Sequence, residues 1–306
     1  MSWHACSEAE CRFTADEIDP IQTIVVPRTS DIGGFEVRRA LPSRQQRMVG
    51  PFVFFDQMGP GEFLTDQGLD VRPHPHIGLA TVTYLFSGRV MHRDSLGTAL
   101  PIEPGAMNLM TAGQGIAHSE RTPVDDRKMP SRLYGIQAWV ALPAASEECP
   151  PDFSHHSEAS LPVIDNDGAR VRLIAGSLFG ATSPVPTASE TLYADIAMQP
   201  GARLPIDAAA EERALYLVDG TIEIAGDRHE AGRLLVLRPK DVLTVTAVTP
   251  CRLMLLGGAP MDGPRHIWWN FVSSRKERIE QAKADWKAGR FTAVPGDTEY
   301  IPLPER

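Results

Sequence analysis

The chain has 306 residues, and its 30 Lys and Arg against 39 Asp and Glu leave a formal net charge of −9. Proteins that hold nucleic acid through its phosphates need a basic surface, and the densest cationic stretch here, 275–290, is interleaved with acidic residues. A hydrophobic content of 42% and a charged content of 23% are ordinary for a folded protein. Composition therefore excludes direct nucleic-acid binding and a mainly disordered chain.

The cysteines and the first residues indicate a cytoplasmic protein. No apolar run approaches the length of a membrane span, and residues 1–11 lack the basic start and apolar core of a secretory leader. The cysteines, which have neither CxxC spacing nor the density of a disulfide scaffold, are Cys6, Cys11, Cys149 and Cys251. His4, Cys6 and Cys11 could in principle hold a soft metal, but we interpret them as part of a terminal tail. We expect no membrane partner.

Short β-strands are predicted along most of the chain, because 26 prolines and 25 glycines require frequent turns. In the first half, strands are predicted over 21–27, 35–41, 50–56, 79–86, 89–94, 106–111 and 132–142. Residues 143–162 are rich in Pro, Ser and acidic side chains without periodicity, so we predict a linker or a boundary between two halves there. In the second half, strands are predicted over 171–175, 193–198, 214–218, 221–225, 233–237, 243–247 and 251–256.

One amphipathic helix is predicted near the C-terminus. Residues 274–277 (SRKE) have the pattern of a capping box, and Gly289 supplies a stop. Ile279, Ala282 and Trp286 recur on one face, whereas Lys and Glu fill the other. We expect the apolar face to pack across a barrel; docking onto a partner is the alternative.

The two halves carry a repeated hairpin. The segment YLFSG at 84–88 recurs as YLVDG at 216–220, 132 residues later. In each half, a second glycine then precedes another apolar strand. This order of strand, tight glycine turn and returning strand is typical of a small β-barrel or jelly roll built by duplication.

Two short motifs concentrate potential metal ligands: His74-Pro75-His76 and His118-Ser119-Glu120. Residues i and i+2 of a β-strand point to the same face, so each motif offers two side chains to one side. Pro75 restricts its strand to an edge, an end or a bulge. Two adjacent strands could therefore close four ligands around one ion.

The donor types restrict the ion to a borderline divalent metal. Imidazoles with a carboxylate and no thiolate suit Fe(II), Mn(II), Ni(II), Cu(II) or Zn(II). Four protein ligands leave an open position only at a five- or six-coordinate ion, which favours iron, manganese or nickel over a structural zinc. In the second half the positions equivalent to His74 and His76 are Ile206 and Ala208, which cannot bind metal.

The other histidines lack partners at this spacing. His92 follows the Gly88 turn, and either lines the same cavity or orients a ligand. The remaining four are interpreted as surface or structural residues; they are His155, His156, His229 and His266.

These residues resemble the pirin family of bicupins. The resemblance is carried by HPHIGLATVTYL at 74–85 and TAGQGIAHSE at 111–120, and it extends from Arg38 to WWNF at 268–271. It implies an all-β bicupin fold, with two tandem cupin-type β-barrels or jelly rolls and a C-terminal amphipathic helix. We place a metal-binding barrel at 20–145, a second barrel without metal ligands at 163–272, and the helix and tail at 273–306.

The resemblance further implies one divalent metal, usually iron, in the N-terminal barrel. The family's ligands fall here on His74, His76, His118 and Glu120. Ordinary cupins carry a glutamate a few residues after HxH, where this chain has Ala80 and Thr81, but in pirins the later motif supplies the carboxylate. Gln114 stands where arginine is common in the family, so substrate preference is less transferable than metal binding.

Two functions follow from the resemblance. The first is a quercetin 2,3-dioxygenase-type oxidoreductase, in which a small aromatic chelating substrate reacts with O2 at the metal and Glu120 acts as ligand and base. Candidate pocket walls, which a buried strand also explains, are Phe52, Phe54, Phe55 and Met58. The second is a metal- and redox-responsive regulatory protein that modulates a partner enzyme or transcription factor through protein contact. A structural β protein without metal is a third hypothesis.

Overall fold

The computed structural model describes residues 19–32, 35–208 and 210–305, so the tail residues His4, Cys6 and Cys11 lie outside the described residues. These residues form two compact units, each assembled from separate segments. The unit that carries both histidine motifs, here called the histidine unit, comprises 28–42, 51–159 and 261–305. The other, here called the apolar unit, comprises 19–27, 43–50 and 160–260.

β-Strands dominate both units. Up to residue 156 they are β1 (Ile21–Val25), β2 (Arg28–Asp31), β3 (Glu36–Leu41), β4 (Phe52–Phe63), β5 (Asp70–His76), β6 (Leu79–Ser87), β7 (Val90–Asp94), β8 (Ala99–Ile102), β9 (Met107–Thr111), β10 (Ile116–Arg121), β11 (Ser131–Ala141) and β12 (Asp152–His156). The later strands are β13 (Val163–Asn166), β14 (Ala169–Ala175), β15 (Ser177–Leu178), β16 (Ala181–Thr182), β17 (Thr191–Met198), β18 (Arg203–Ile206), β19 (Glu212–Asp219), β20 (Thr221–Ile224), β21 (Asp227–Glu230), β22 (Arg233–Leu237), β23 (Leu243–Ala247), β24 (Cys251–Gly258), β25 (His266–Trp268) and β26 (Phe271–Ser273). Short 3-10 turns lie at Asp126–Lys128 and Glu158–Ser160, and the helix α1 spans Lys276–Lys287.

The histidine unit packs two antiparallel sheets face to face. Its seven-stranded sheet has the order β12-β9-β6-β11-β4-β3-β2, and its four-stranded sheet has the order β5-β10-β7-β8. One buried apolar cluster joins side chains of the larger sheet, such as Met58 and Leu85, to Val90 and Ile102 of the smaller one. The interior of this barrel therefore lies between the two sheets.

The apolar unit repeats this strand order. Its sheets are β1-β22-β19-β24-β17-β14-β13 and β18-β23-β20-β21. β19 lies between β22 and β24 as β6 lies between β9 and β11, and each central strand ends at one of the two repeated glycine turns. Leu204 and Val245 of the smaller sheet share a core with Leu215 and Leu253 of the larger. The predicted all-β fold with two tandem barrels is confirmed.

Two segments near the ends of the chain belong to a different unit from the one that the sequence predicted. β1, expected in the barrel at 20–145, pairs with β22 of the apolar unit. Residues 261–272, expected in the second barrel, belong to the histidine unit, where the Val272 amide donates to the Ile77 carbonyl. β1 covers the edge of β22, which would otherwise expose unpaired backbone groups, and such edge pairing leaves little trace in the sequence.

The boundary between the two units falls within 143–162, after residue 159, but the segment before it is structured and is not a linker. β12 within this segment pairs with β9 and extends the larger sheet of the histidine unit. Glu147 is buried, with 3% of its surface exposed, and accepts hydrogen bonds from Ser273 and Ser274. The prediction failed because an edge strand is held by backbone hydrogen bonds, which polar side chains permit as well as apolar ones.

The helix α1 is present, but the predicted capping box is not formed. α1 begins at Lys276, with Arg275 at the N-cap and no side-chain cap. The Ser274 hydroxyl donates to Glu147 instead, at 2.9 Å. Ile279 and Ala282 are buried as predicted. The chain leaves the helix before Gly289, whose φ of +67° suits glycine.

At 12 residues, α1 is too short to span a bilayer, and no other helix within the described ranges has the length and apolarity for it.

Candidate metal centre

Two neighbouring strands bring the predicted histidines together. β5 is the edge strand of the smaller sheet in the histidine unit, and it pairs with β10 so that His74 lies opposite His118 and His76 lies opposite Ile116. β5 has an extra residue between the pairs His118–His74 and Glu120–Val71. The edge position and this bulge tolerate proline residues that cannot donate to the ladder, as expected for Pro75.

The three imidazoles form one buried cluster. Ligand atoms of His74, His76 and His118 lie within 4.8 Å of one another. The three side chains are 6%, 1% and 0% exposed, and the Nε2 atoms of His76 and His118 are 3.1 Å apart. Among the described residues, this is the only group of three or more His, Cys, Asp or Glu with such spacing.

Backbone carbonyls orient two of these rings. His74 Nδ1 lies 2.9 Å from the Arg72 carbonyl oxygen, and His76 Nδ1 lies 3.2 Å from that of Asn270. A carbonyl oxygen only accepts, so Nδ1 of each ring carries the proton and Nε2 keeps its lone pair. Both rings therefore present a free nitrogen donor.

Burial keeps the imidazoles neutral. Desolvation lowers the pKa of His76 and His118 well below the ordinary value, and the neighbouring ring of His74, which disfavours a second positive charge beside it, lowers both further. The pKa of His74 is also lowered by burial, against a raising effect of the Arg72 carbonyl and Glu120. Neutral nitrogen donors without a thiolate are suited to a borderline divalent ion. The residues present therefore fit a metal site.

Glu120 lies beside the cluster but outside the three-histidine group. It follows His118 by two residues on β10 and is 5% exposed. Its carboxylate accepts hydrogen bonds from Gln137 Nε2 at 2.9 and 3.1 Å and from the Thr83 hydroxyl at 3.2 Å. Strands of the opposite sheet thus hold this carboxylate in the barrel interior.

His92 lies behind His118. The Nδ1 atoms of the two rings are 3.5 Å apart, and His92 Nε2 donates to Asp94 Oδ2 at 3.0 Å. The ring of Phe153 stacks on His92 with centroids 4.7 Å apart. His92 is therefore in contact with a candidate ligand.

Within residues 19–305, as far as they are described, the other histidines do not join the cluster. His155 contacts Asn108 Oδ1 through Nδ1 at 2.6 Å. Ile206, the counterpart of His74, is 1% exposed within the core of the apolar unit.

Aromatic rings adjoin the cluster on one side. Trp139 lies edge-on to His76, with centroids 5.1 Å apart, and stacks on Phe54 at 4.0 Å. Of the candidate pocket walls, Phe54 is connected to the cluster in this way, whereas Met58 packs in the apolar core of the barrel.

Comparison with known proteins identifies the family. Residues 34–140 match the family profile described as Pirin, and residues 193–292 match the profile of the Pirin C-terminal cupin domain. The chain belongs to the pirin family.

Relatives cover nearly the whole of this pirin-family chain. A pirin-like protein of Caulobacter vibrioides is 48% identical over 289 residues, which are 93% of this chain and 100% of the relative. A crystal structure of quercetin 2,3-dioxygenase from Acinetobacter baumannii is 33% identical, with 93% of this chain and 96% of that chain covered and a TM-score of 0.86. A bacterial pirin of Escherichia coli in complex with nickel(II), 17% identical with 78% and 99% covered, shares the fold at a TM-score of 0.62.

Sequence reasoning missed several residues that contact the site in this chain. Asn270 contributes only its carbonyl, which no side-chain pattern reveals. Gln137 could have been identified from the sequence, because it is a polar residue between apolar neighbours of β11. Asp94 could also have been identified, since it precedes the glycine turn after β7.

Proposed function

We propose that this pirin-family protein is a metal-dependent dioxygenase that acts on a chelating flavonol of the quercetin type. The observation that carries the proposal is the buried cluster of three neutral imidazoles beside a carboxylate. The likeness to a structure named quercetin 2,3-dioxygenase supports the substrate class. Iron is the first candidate for the ion, and manganese, nickel, copper and zinc are the alternatives.

The proposed metal ligands are His74, His76, His118 and Glu120. The first three present nitrogen donors to a common centre, and Glu120 points into the same barrel from β10. When bound, a divalent ion would supply a Lewis acid that lowers the pKa of a chelating hydroxyl.

Glu120 is the proposed base. Its carboxylate can accept the proton of the flavonol hydroxyl at Oε1 or Oε2, within a site where water competes little. Gln137 donates to both oxygens and Thr83 donates to one, so these residues hold the carboxylate in a fixed orientation. In addition, Trp139 and Phe54 provide an apolar wall that excludes water.

Turnover of quercetin under air by protein loaded with Fe(II) or Ni(II) tests the proposal. We expect His74→Ala to lose metal and to reduce turnover at least about 100-fold, because substitutions that disturb a metal site have effects of this size. His229→Ala is the matched control, since His229 lies in the apolar unit outside the cluster. Equal turnover by His74→Ala and the unchanged protein would contradict the proposal.

A second variant separates the two roles of Glu120. Glu120→Gln keeps the shape and the contacts with Thr83 but removes the basic carboxylate, so we expect turnover to fall about 100- to 10,000-fold. Metal content measured on the same sample shows whether the loss comes from the ion or from the base. Unchanged turnover and unchanged metal content would exclude Glu120 from both roles.

A further inference from the structure

The three imidazoles of the cluster are not held in the same way. His74 and His76 each donate from Nδ1 to a backbone carbonyl, so their tautomers follow from the path of the main chain. His118 has a fourth histidine, His92, at its Nδ1 instead, and the ring nitrogen of His92 can either donate or accept. Its orientation therefore depends on what fixes His92.

We propose that His92 and Asp94 are positioning residues that set the tautomer of His118 and aim its Nε2 lone pair at the centre of the cluster. The inference rests on the proposed metal centre and concerns residues outside its four ligands. Asp94 accepts from Nε2 of His92. With that proton on Nε2, Nδ1 of His92 is the acceptor that faces Nδ1 of His118 at 3.5 Å, and His118 donates to it. Nε2 of His118 is left unprotonated.

The turn after β7 holds Asp94, the first residue of the hydrogen-bonded series Asp94–His92–His118, in position. Asp94 is fully buried, and its Oδ1 accepts from the amides of Leu96 at 2.9 Å and Thr98 at 3.0 Å. Gly97, with φ of +93°, allows the tight turn that brings these amides back to Asp94. The second oxygen, Oδ2, is thereby directed at His92.

The tautomer of His118 decides whether the cluster can receive a cation. With a proton on Nε2, His118 would donate to His76 Nε2 across the observed 3.1 Å. Neither nitrogen would then have a lone pair free for a cation. With the proton on Nδ1, two lone pairs face each other at that distance, an arrangement that a cation stabilises. His92 therefore selects the metal-receptive state of the site.

The tautomers are measurable in the full-length protein without metal. Two-bond 15N–1H correlation spectra distinguish protonated from unprotonated ring nitrogens. We expect His118 to be protonated on Nδ1 and free on Nε2, as are His74 and His76. A proton on Nε2 of His118, or a doubly protonated His92, would overturn the proposal from the unchanged protein alone.

Substitutions at His92 give the second test. His92→Phe keeps a ring to stack on Phe153 but removes the acceptor, so we expect mixed tautomers at His118 and unchanged tautomers at His74 and His76. His92→Gln retains a donor for Asp94 and an acceptor for His118 and should restore a single tautomer. A variant His92→Phe with an unchanged His118 spectrum would overturn the proposal.

Nickel(II) affinity, measured by competition with a chelator, completes the experiment. We expect His92→Phe to weaken Ni(II) binding about 10- to 100-fold and His92→Gln to recover most of the loss. Equal affinity of all three proteins would overturn the positioning role. If the unchanged protein binds no Ni(II), Fe(II) or other divalent ion while its His118 tautomer is as stated, the proposed metal function fails and the assignment of His92 stands.

Discussion

The imidazoles of the three-histidine cluster are deeply buried, and their ring nitrogens have specific hydrogen-bond partners. His76 and His118 are at most 1% exposed, and both have a pKa well below the ordinary value because burial disfavours the charged ring. Because these pKa values are low, the buried rings carry no extra proton at neutral pH. Their ligand nitrogens are then free to bind a metal ion.

The lowered pKa values predict that metal-free protein loses stability as the pH falls. Below about pH 6.5 the unfolded chain binds protons that the buried rings cannot, so stability is full above that pH and decreases below it. Each ring contributes up to about 1.4 kcal/mol per pH unit. Urea unfolding at pH 7.5, 6.5 and 5.5 measures the slope.

The matched variant for this measurement is His76→Gln, which lacks one buried imidazole and keeps all other histidines. We expect a shallower decrease of stability between pH 6.5 and 5.5 than in the unchanged protein. Identical slopes would mean that His76 is not held neutral in the folded state.

The segment between the predicted domains acts as an anchor for α1. Glu147 accepts from the Ser274 amide at 2.8 Å and from the hydroxyls of Ser273 and Ser274. Burial acts to raise the pKa of Glu147, but these bonds outweigh it and hold the pKa below its ordinary value. The carboxylate stays ionised and ties the residues before α1 to the loop at 143–149.

Neighbouring glutamates allow a direct test of this anchor. Glu147→Ala should lower the free energy of unfolding by about 2–3 kcal/mol, because it leaves the Ser274 amide and two hydroxyls without their acceptor. Glu148→Ala removes only contacts to Arg275 and Arg278 from a side chain that is 41% exposed, so we expect less than about 1 kcal/mol. Equal effects of the two substitutions in urea unfolding would contradict the anchoring role.

Both compact units are discontinuous in sequence. β1 completes the larger sheet of the apolar unit, and residues 261–305 complete the histidine unit. These end segments also supply parts that the barrels need: Ile21 joins the core of the apolar unit, and the Asn270 carbonyl orients His76. Folding of each unit therefore requires segments far apart along the chain, which slows the search for native contacts.

The pairing of β1 with β22 predicts which strand loses protection when a residue of β1 is substituted. Ile21→Asp places a charge in an apolar core and should lower the free energy of unfolding by about 3 kcal/mol. Backbone hydrogen exchange should then rise in Arg233–Leu237, the partner strand β22. Gln22→Asp on the same strand is the control, because that side chain is exposed and the change should stay within about 0.5 kcal/mol. Increased exchange in Glu36–Leu41 alone would contradict the observed pairing.

Local patterns predicted most strands and the composition of the cluster. Leu79–Ser87 and Arg233–Leu237 lie within two residues of the predicted bounds, because alternating apolar residues reflect a buried sheet face. The capping box at 274–277 failed because Glu147, distant in sequence, competes for the Ser274 hydroxyl. The linker at 143–162 failed because its backbone pairs with β9.

Side-chain period and identity were enough to predict the two-barrel fold and the placement of two i, i+2 motifs close together, since both are read from the residue types along each strand. The tertiary structure alone decided how the site is held. The Asn270 carbonyl reaches His76 from outside β5, and the Asp94–His92 pair reaches His118 from β7. The Gln137 amide reaches Glu120 from β11, whereas the Arg72 carbonyl contacts His74 from within β5 itself. Such contacts depend on where the backbone passes, and a backbone carbonyl is the same in every residue type.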